Sequence, residues 1–112
     1  MVGDKALVMV DNREIQSMIY TFRGRQVMID SDLTRLYQVN TGRLNKQVKR
    51  NIDRFPVQFM FQLTAEEYQF LISQNAISNK GRGGRRKLPY VFTEQGIAML
   101  SAVLNSAVAV DM

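Results

Sequence analysis

The segment RLNKQVKRNIDRFP, residues Arg43–Pro56, places five positive charges and one negative charge in fourteen positions. Leu44, Val48, Ile52 and Phe55 are threaded between the charges at spacings of four, four and three. At about 100° per residue these four fall within an arc of about 80°. Arg43, Lys46, Lys49, Arg50 and Arg54 spread over the opposite side with Asp53 among them, and Asn45, Gln47 and Asn51 lie toward the borders. The pattern predicts a helix held to a core by its apolar arc, with a basic face left over. A helix that is merely solvated usually mixes signs for i,i+4 pairing, and this one does not.

Working outward, Thr41 is placed to cap this helix, and Pro56 forces Phe55 out of the helical region at its end. Upstream, DSDLTRLY predicts a helix of about two turns, with Asp30 or Ser31 as its N-cap and Leu33, Leu36 and Tyr37 on one face. QVNTG breaks it. Together SDLTRLYQVNTGRLNKQVKR reads as a helix-turn-helix, in which Leu33 and Leu36 pack on Leu44 and Val39 closes the turn. Before it, IQSMIYTF and QVMI predict a hairpin of Ile15–Phe22 with Gln26–Ile29, and Gly24 supplies a positive φ in the connection. Residues 1–14 read as a flexible lead-in.

Downstream, QFMFQL alternates as a strand over about Gln58–Leu63. Thr64 and Glu67 form a capping box for the helix AEEYQFLISQ, which buries Tyr68, Leu71 and Ile72. NAISNKGRGGRRKL is loop by composition, and PYVFT is a short strand. Thr93 caps a last helix, EQGIAMLSAVLN, with Ile97, Leu100, Val103 and Leu104 as its core stripe. That helix is apolar nearly all round, so it is buried or part of a subunit interface. Ser106 reads as the cap of a further helix, AVAVDM, that begins a segment at 107–112 and marks the chain as the front of a longer protein.

The chain has 112 residues, 46% of them hydrophobic and 22% charged, which suits one soluble domain. No apolar run is long enough to span a membrane and no signal-peptide core is present, so a cytoplasmic protein is expected. The net charge is +5, from fifteen Lys and Arg against ten Asp and Glu. Ten of those fifteen cations sit in two windows, 43–54 and 80–87. Clustering of this kind is the footprint of a polyanion partner, set against the plainer reading of two solvated surfaces.

With no histidine and no cysteine, the usual zinc sites and Ser-His or Cys-His nucleophiles are excluded. GRGG is followed by cations rather than an apolar helix, so it is not a phosphate-binding P-loop. The carboxylate pairs Asp30/Asp32 and Glu66/Glu67 lie in first helical turns, where the macrodipole favours acids. Two positioned oxygens are too few for a two-metal nuclease site. No catalysis, metal or other cofactor is expected. DNA requires cations for phosphates and Arg, Asn and Gln for base edges. The 43–54 segment supplies these types.

RGRQVMIDSDLTRLYQVNTGRLNKQVKRNIDRFPVQFMFQLTAEEY and GGRRKLPYVFTEQGIAMLSAVLNS resemble the Orf-six N-terminal domain family, a relative of the KilA-N and Bro-N domains of phage and large-DNA-virus proteins. The resemblance covers about 15–106. It implies a compact α+β DNA-binding module of phage antirepressors and prophage regulators, commonly followed by a variable region. The family pattern and the helical wheel together point to Arg43, Asn45, Lys46, Gln47, Lys49 and Arg50 as DNA contacts. Arg85 and Arg86 match the family's basic residues before LPY. FTEQG reads as fold, with Gly96 allowing close packing. Gln38 stands where glycine is expected at the end of the first helix.

The expectation is therefore a small single α+β domain with a helix-turn-helix-like core, a β-hairpin and short strands on three to four helices. It binds double-stranded DNA by docking the 41–55 helix, including Arg54, in the major groove. The loop residues Arg82, Arg85, Arg86 and Lys87 clamp the backbone. A homodimer through the last helix is compatible with this. The rival is a protein-interaction module whose basic face meets a repressor protein. Single-stranded RNA binding through GRGGRR is weakened by the lack of exposed aromatics on the basic helix.

Overall fold

Two cores, one on each face of a single sheet, organise the chain. The computed structural model describes residues 12–75 and 87–111. In chain order the described elements are α1 (Asn12–Ser17), β1 (Ile19–Phe22), β2 (Arg25–Ile29), α2 (Asp30–Tyr37) and α3 (Thr41–Arg50). A 3-10 turn (Ile52–Arg54), β3 (Met60–Gln62), α4 (Ala65–Asn75), β4 (Tyr90–Thr93) and α5 (Glu94–Asp111) follow. The fold is the expected α+β class, and the additional helix beyond the three or four predicted is α1.

The sheet is antiparallel with the order β1-β2-β4-β3. Phe22 pairs with Arg25 across a two-residue turn in which Arg23 and Gly24 have φ of 55° and 73°. Two positive φ values give the turn whose twist matches that of the flanking strands. Register aligns Met28, Phe92 and Met60 in one row and Ile29, Val91 and Phe61 in the next. Successive strand residues face opposite sides, so the rows enter different cores. The first row meets Leu33 and Leu36 of α2, Leu44 and Val48 of α3, and Leu100, Val103 and Leu104 of α5. The second meets Leu71 and the half-buried Tyr68 of α4.

Several boundaries depart from the sequence reading. The strand predicted from Ile15 begins at Ile19, because 12–17 are helical and the Met18 amide turns back to the Ile15 carbonyl. Arg35 pairs with Glu14 at 3.5 Å, tying α1 to α2. The strand predicted over Gln58–Leu63 is confined to Met60–Gln62, since the Phe59 and Met60 amides both turn back to the Pro56 carbonyl. Ser106 does not start a new helix: α5 continues through it to Asp111, with no glycine or proline after Gly96 to stop it. Among the described residues no helix is long and apolar enough to cross a membrane.

The start of α5 is held tightly. The buried Thr93 hydroxyl donates to the Gln58 carbonyl at 2.8 Å and accepts from the Gly96 amide at 3.3 Å. The Thr93 amide donates to the Phe59 carbonyl at 2.9 Å. A Cβ on Gly96 would lie 1.9 Å from that same carbonyl oxygen. Glycine is required here by space. Gly96→Ala is expected to destabilise the domain by more than about 3 kcal/mol, because backbone on both sides must move. Urea unfolding monitored by circular dichroism measures this.

On the other face, the predicted capping box forms. The Thr64 amide donates to Glu67 Oε1 at 2.8 Å, and the Glu67 amide donates to Thr64 Oγ1 at 3.1 Å. Arg23, at the hairpin turn, places Nε and Nη2 each 3.0 Å from the two Glu67 carboxylate oxygens. Its guanidinium carbon lies 4.3 Å from the centroid of the Phe61 ring. The Arg23 hydrogen bonds, followed by the Thr64 amide, hold the Glu67 carboxyl below the usual carboxylate range against opposing desolvation. A depressed folded-state pKa contributes stability above the unfolded value, roughly 4.3 for glutamate, and loses it as pH falls through the folded value. Thermal unfolding from pH 6 down to about pH 2 is expected to show a shallower loss of stability in Glu67→Gln than in the wild type, below about pH 4.3.

Candidate nucleic-acid interface

The site is built from the α2–turn–α3 unit, and its geometry begins with the ends of those helices. β2 runs directly into α2, so the N-cap is Ile29 rather than the predicted Asp30 or Ser31. Asp30 is buried and one of its carboxylate oxygens accepts from the Tyr90 amide at 3.2 Å, fastening α2 to the start of β4. The helix ends at Gln38, whose φ of 55° and ψ of 44° place it in the left-handed region. The Gln38 and Val39 amides then close on the Arg35 and Thr34 carbonyls. This is the position where the sequence leads one to expect glycine.

Asn40, not Thr41, caps α3: its Oδ1 accepts from the Arg43 amide at 2.7 Å. Asn is as good a cap as any, and this choice leaves the Thr41 side chain exposed. Leu44 and Val48 are buried against Leu33 and Leu36 as predicted, with Val39 packed beside them. The helix stops at Arg50. Asn51 Nδ2 donates to the Gln47 carbonyl at 2.8 Å, and its backbone leaves helical geometry at φ −120° and ψ 32°. The 3-10 turn that follows returns Phe55 to the core, edge-on to Phe92 with centroids 6.0 Å apart. It also swings Ile52 off the apolar arc, so that Ile52 is 52% exposed instead of buried.

Of the predicted contact residues, Asn45, Lys46, Lys49, Arg50 and Arg54 are exposed, while Arg43 and Gln47 are half-buried. Among the described residues, none of the five cations Arg43, Lys46, Lys49, Arg50 and Arg54 is held in an ion pair. The set divides between two flanks of α3. At about 100° per residue, Arg43, Lys46 and Arg50 share the outer flank, while Thr41, Asn45 and Lys49 share the other. Lys87 is exposed at the approach to β4, and Arg82, Arg85 and Arg86 lie outside the described residues.

The second flank borders a cleft of about 450 Å³. Thr41, Asn45, Val48, Lys49 and Ile52 form one wall, and Lys87, Leu88 and Tyr90 the other. Asp30, Met60 and Phe92 complete the lining. Sequence reasoning passed over Thr41, Ile52, Leu88 and Tyr90 as site residues. The spacing of 41, 45, 49 and 52 carried a signal for one wall. The opposite wall arrives through the β3–β4 pairing and has no local signature.

A family model for the ORF6N domain matches residues 17–103. No curated protein and no solved structure matches the chain significantly.

Because Gln38 occupies a left-handed conformation, Gln38→Gly is expected to stabilise the domain by up to about 1 kcal/mol, the relief of strain exceeding the added freedom of the unfolded chain. Denaturant titration of the two proteins, with equal slopes, is the check.

Proposed function

The chain belongs to the ORF6N domain family, and on that premise we propose that it is a phage- or prophage-type regulator that binds double-stranded DNA through α3. The observation that carries this reading is the unpaired basic surface. Leu44 and Val48 fix the helix to the core, and the cations on its solvent side have no protein partner among the described residues. Lys46, Arg50 and Arg43 meet phosphates, and Asn45 and Lys49 reach toward base edges in the major groove. Arg54 and Lys87 extend the same charge, and in the sequence Arg82, Arg85 and Arg86 shortly precede Lys87. The proposed role involves binding alone, with no catalysis and no cofactor. Two copies on one site would double the small contact area of a single module.

A second reading rests on Ile52 and Val57, which are 52% and 64% exposed on either side of Arg54. Apolar anchors beside cations suit an acidic partner protein, such as a repressor.

Fluorescence anisotropy of a labelled duplex at several salt concentrations tests the DNA reading. If about five phosphates are neutralised, log K falls against log salt with a slope near −4.5. Arg50→Ala is expected to lower that slope by about one unit. Absence of binding at low salt, or a slope that ignores the substitution, would overturn the DNA reading and leave the protein partner as the better one.

A further inference from the structure

The cleft beside α3 is chemically unlike the basic crest of the same helix. Its lining is largely apolar: Val48, Ile52, Met60, Leu88, the half-buried Tyr90 and Phe92 supply aliphatic side chains and two aromatic rings. Two polar side chains, Thr41 and Asn45, stand on one wall a helical turn apart, and the buried Asp30, whose carboxylate accepts from the Tyr90 amide, also lines the cleft. Thr41 and Asn45 are exposed, and neither has a side-chain hydrogen bond among the described residues. The cap at Asn40 and the backbone break at Asn51 produce this arrangement. The first frees Thr41 from capping, and the second turns Ile52 outward to the rim. Lys49 and Lys87, both exposed, also line the cleft.

We propose that this cleft is a binding site for a single nucleotide. The heterocycle enters between the Tyr90–Leu88 wall and Val48–Ile52, where a flat ring is covered on both sides by apolar groups. Thr41 and Asn45 meet the ring's edge. Between them they offer a hydroxyl and an amide, donors and acceptors of the kind that read a base. Lys49 meets the phosphate. The volume, about 450 Å³, falls within the roughly 300–1,000 Å³ of small-ligand pockets. A bare anion would leave the apolar walls unused, and a long acyl chain would leave the hydroxyl and amide unmatched.

Two sources share this chemistry: a free nucleotide, or a nucleotide unstacked from bound DNA. The second source rests on the proposed DNA binding and the first does not. The 112-residue chain is titrated with adenosine, guanosine, cytidine and thymidine monophosphates, with inorganic phosphate as the control, by ¹H–¹⁵N NMR. In parallel, a duplex carrying 2-aminopurine is titrated while its fluorescence is recorded. At least one monophosphate is expected to shift the amides of Thr41, Asn45, Leu88 and Tyr90 in a saturable way. Asn45→Leu, on an exposed helical position, is expected to weaken that binding about tenfold. A rise in 2-aminopurine fluorescence that Asn45→Leu abolishes, at duplex concentrations where anisotropy shows the variant still bound, identifies the unstacked nucleotide of DNA as the source. Shifts with a monophosphate, with no fluorescence rise, identify the free nucleotide. If the duplex fails to bind while a monophosphate binds, the DNA reading falls and the nucleotide site stands. If inorganic phosphate reproduces the shifts, or if the duplex binds with its salt dependence while neither monophosphate shifts nor fluorescence change occur, the nucleotide site is overturned.

Discussion

Phe92 is the fixed point of the molecule. It lies in β4 with Met28 on one side and Met60 on the other, so the backbone pairing of three strands converges on it. Its ring meets Phe55 edge-on, and it shares one buried cluster with Leu33, Leu44, Val48 and Leu100. Every element that positions α3 therefore touches the same row of the sheet. Aromatic rings in such positions contribute both buried area and a preferred edge-to-face geometry. The basic helix lies chiefly against α5 and α2, and both of those pack on the sheet at β4.

That arrangement explains how a short helix with few apolar residues stays in place. α3 has ten residues, and of these Leu44 and Val48 are buried. A helix of this length has little stability alone. It is fixed instead at its N-terminus by Asn40, at its C-terminus by Asn51, and beyond that by Phe55 reaching back to Phe92. With both ends anchored, its solvent side needs no internal ion pairs. Charges that would otherwise be matched within the helix stay available to an outside anion.

Much of this was legible in the residues. The short strand PYVFT, the Thr64–Glu67 box, the turn at Gly24, the tight place for Gly96 and the packing of Leu33, Leu36 and Leu44 are local patterns with local causes. The failures were failures of choice between adjacent candidates. Asn40 and Thr41 are both good caps, and sequence alone does not decide which amide lies within reach. The Ile52 prediction assumed that the helix would run to Pro56, whereas Asn51 can cap the chain several residues earlier. Gln38 is unusual in another way: its sequence position called for a left-handed residue, and the backbone adopts that conformation without glycine. The cleft was out of reach, because Leu88 and Tyr90 come to α3 through a sheet pairing that links distant parts of the chain.

The ends of the sheet carry one more consequence. Its outer strands are β1, of four residues, and β3, of three. The Gln62 side chain, at the end of β3, donates to the Leu88 carbonyl at 2.9 Å, and Arg25 Nη1, beside the β1 turn, donates to the Gln58 carbonyl at 3.3 Å. Long bare sheet margins recruit other chains into continuous aggregates, and brevity is one way that proteins prevent this. Here each margin offers only a few backbone groups to a stranger. Strands rich in valine, isoleucine and phenylalanine can thus be crowded at high local concentration without their sheets joining edge to edge.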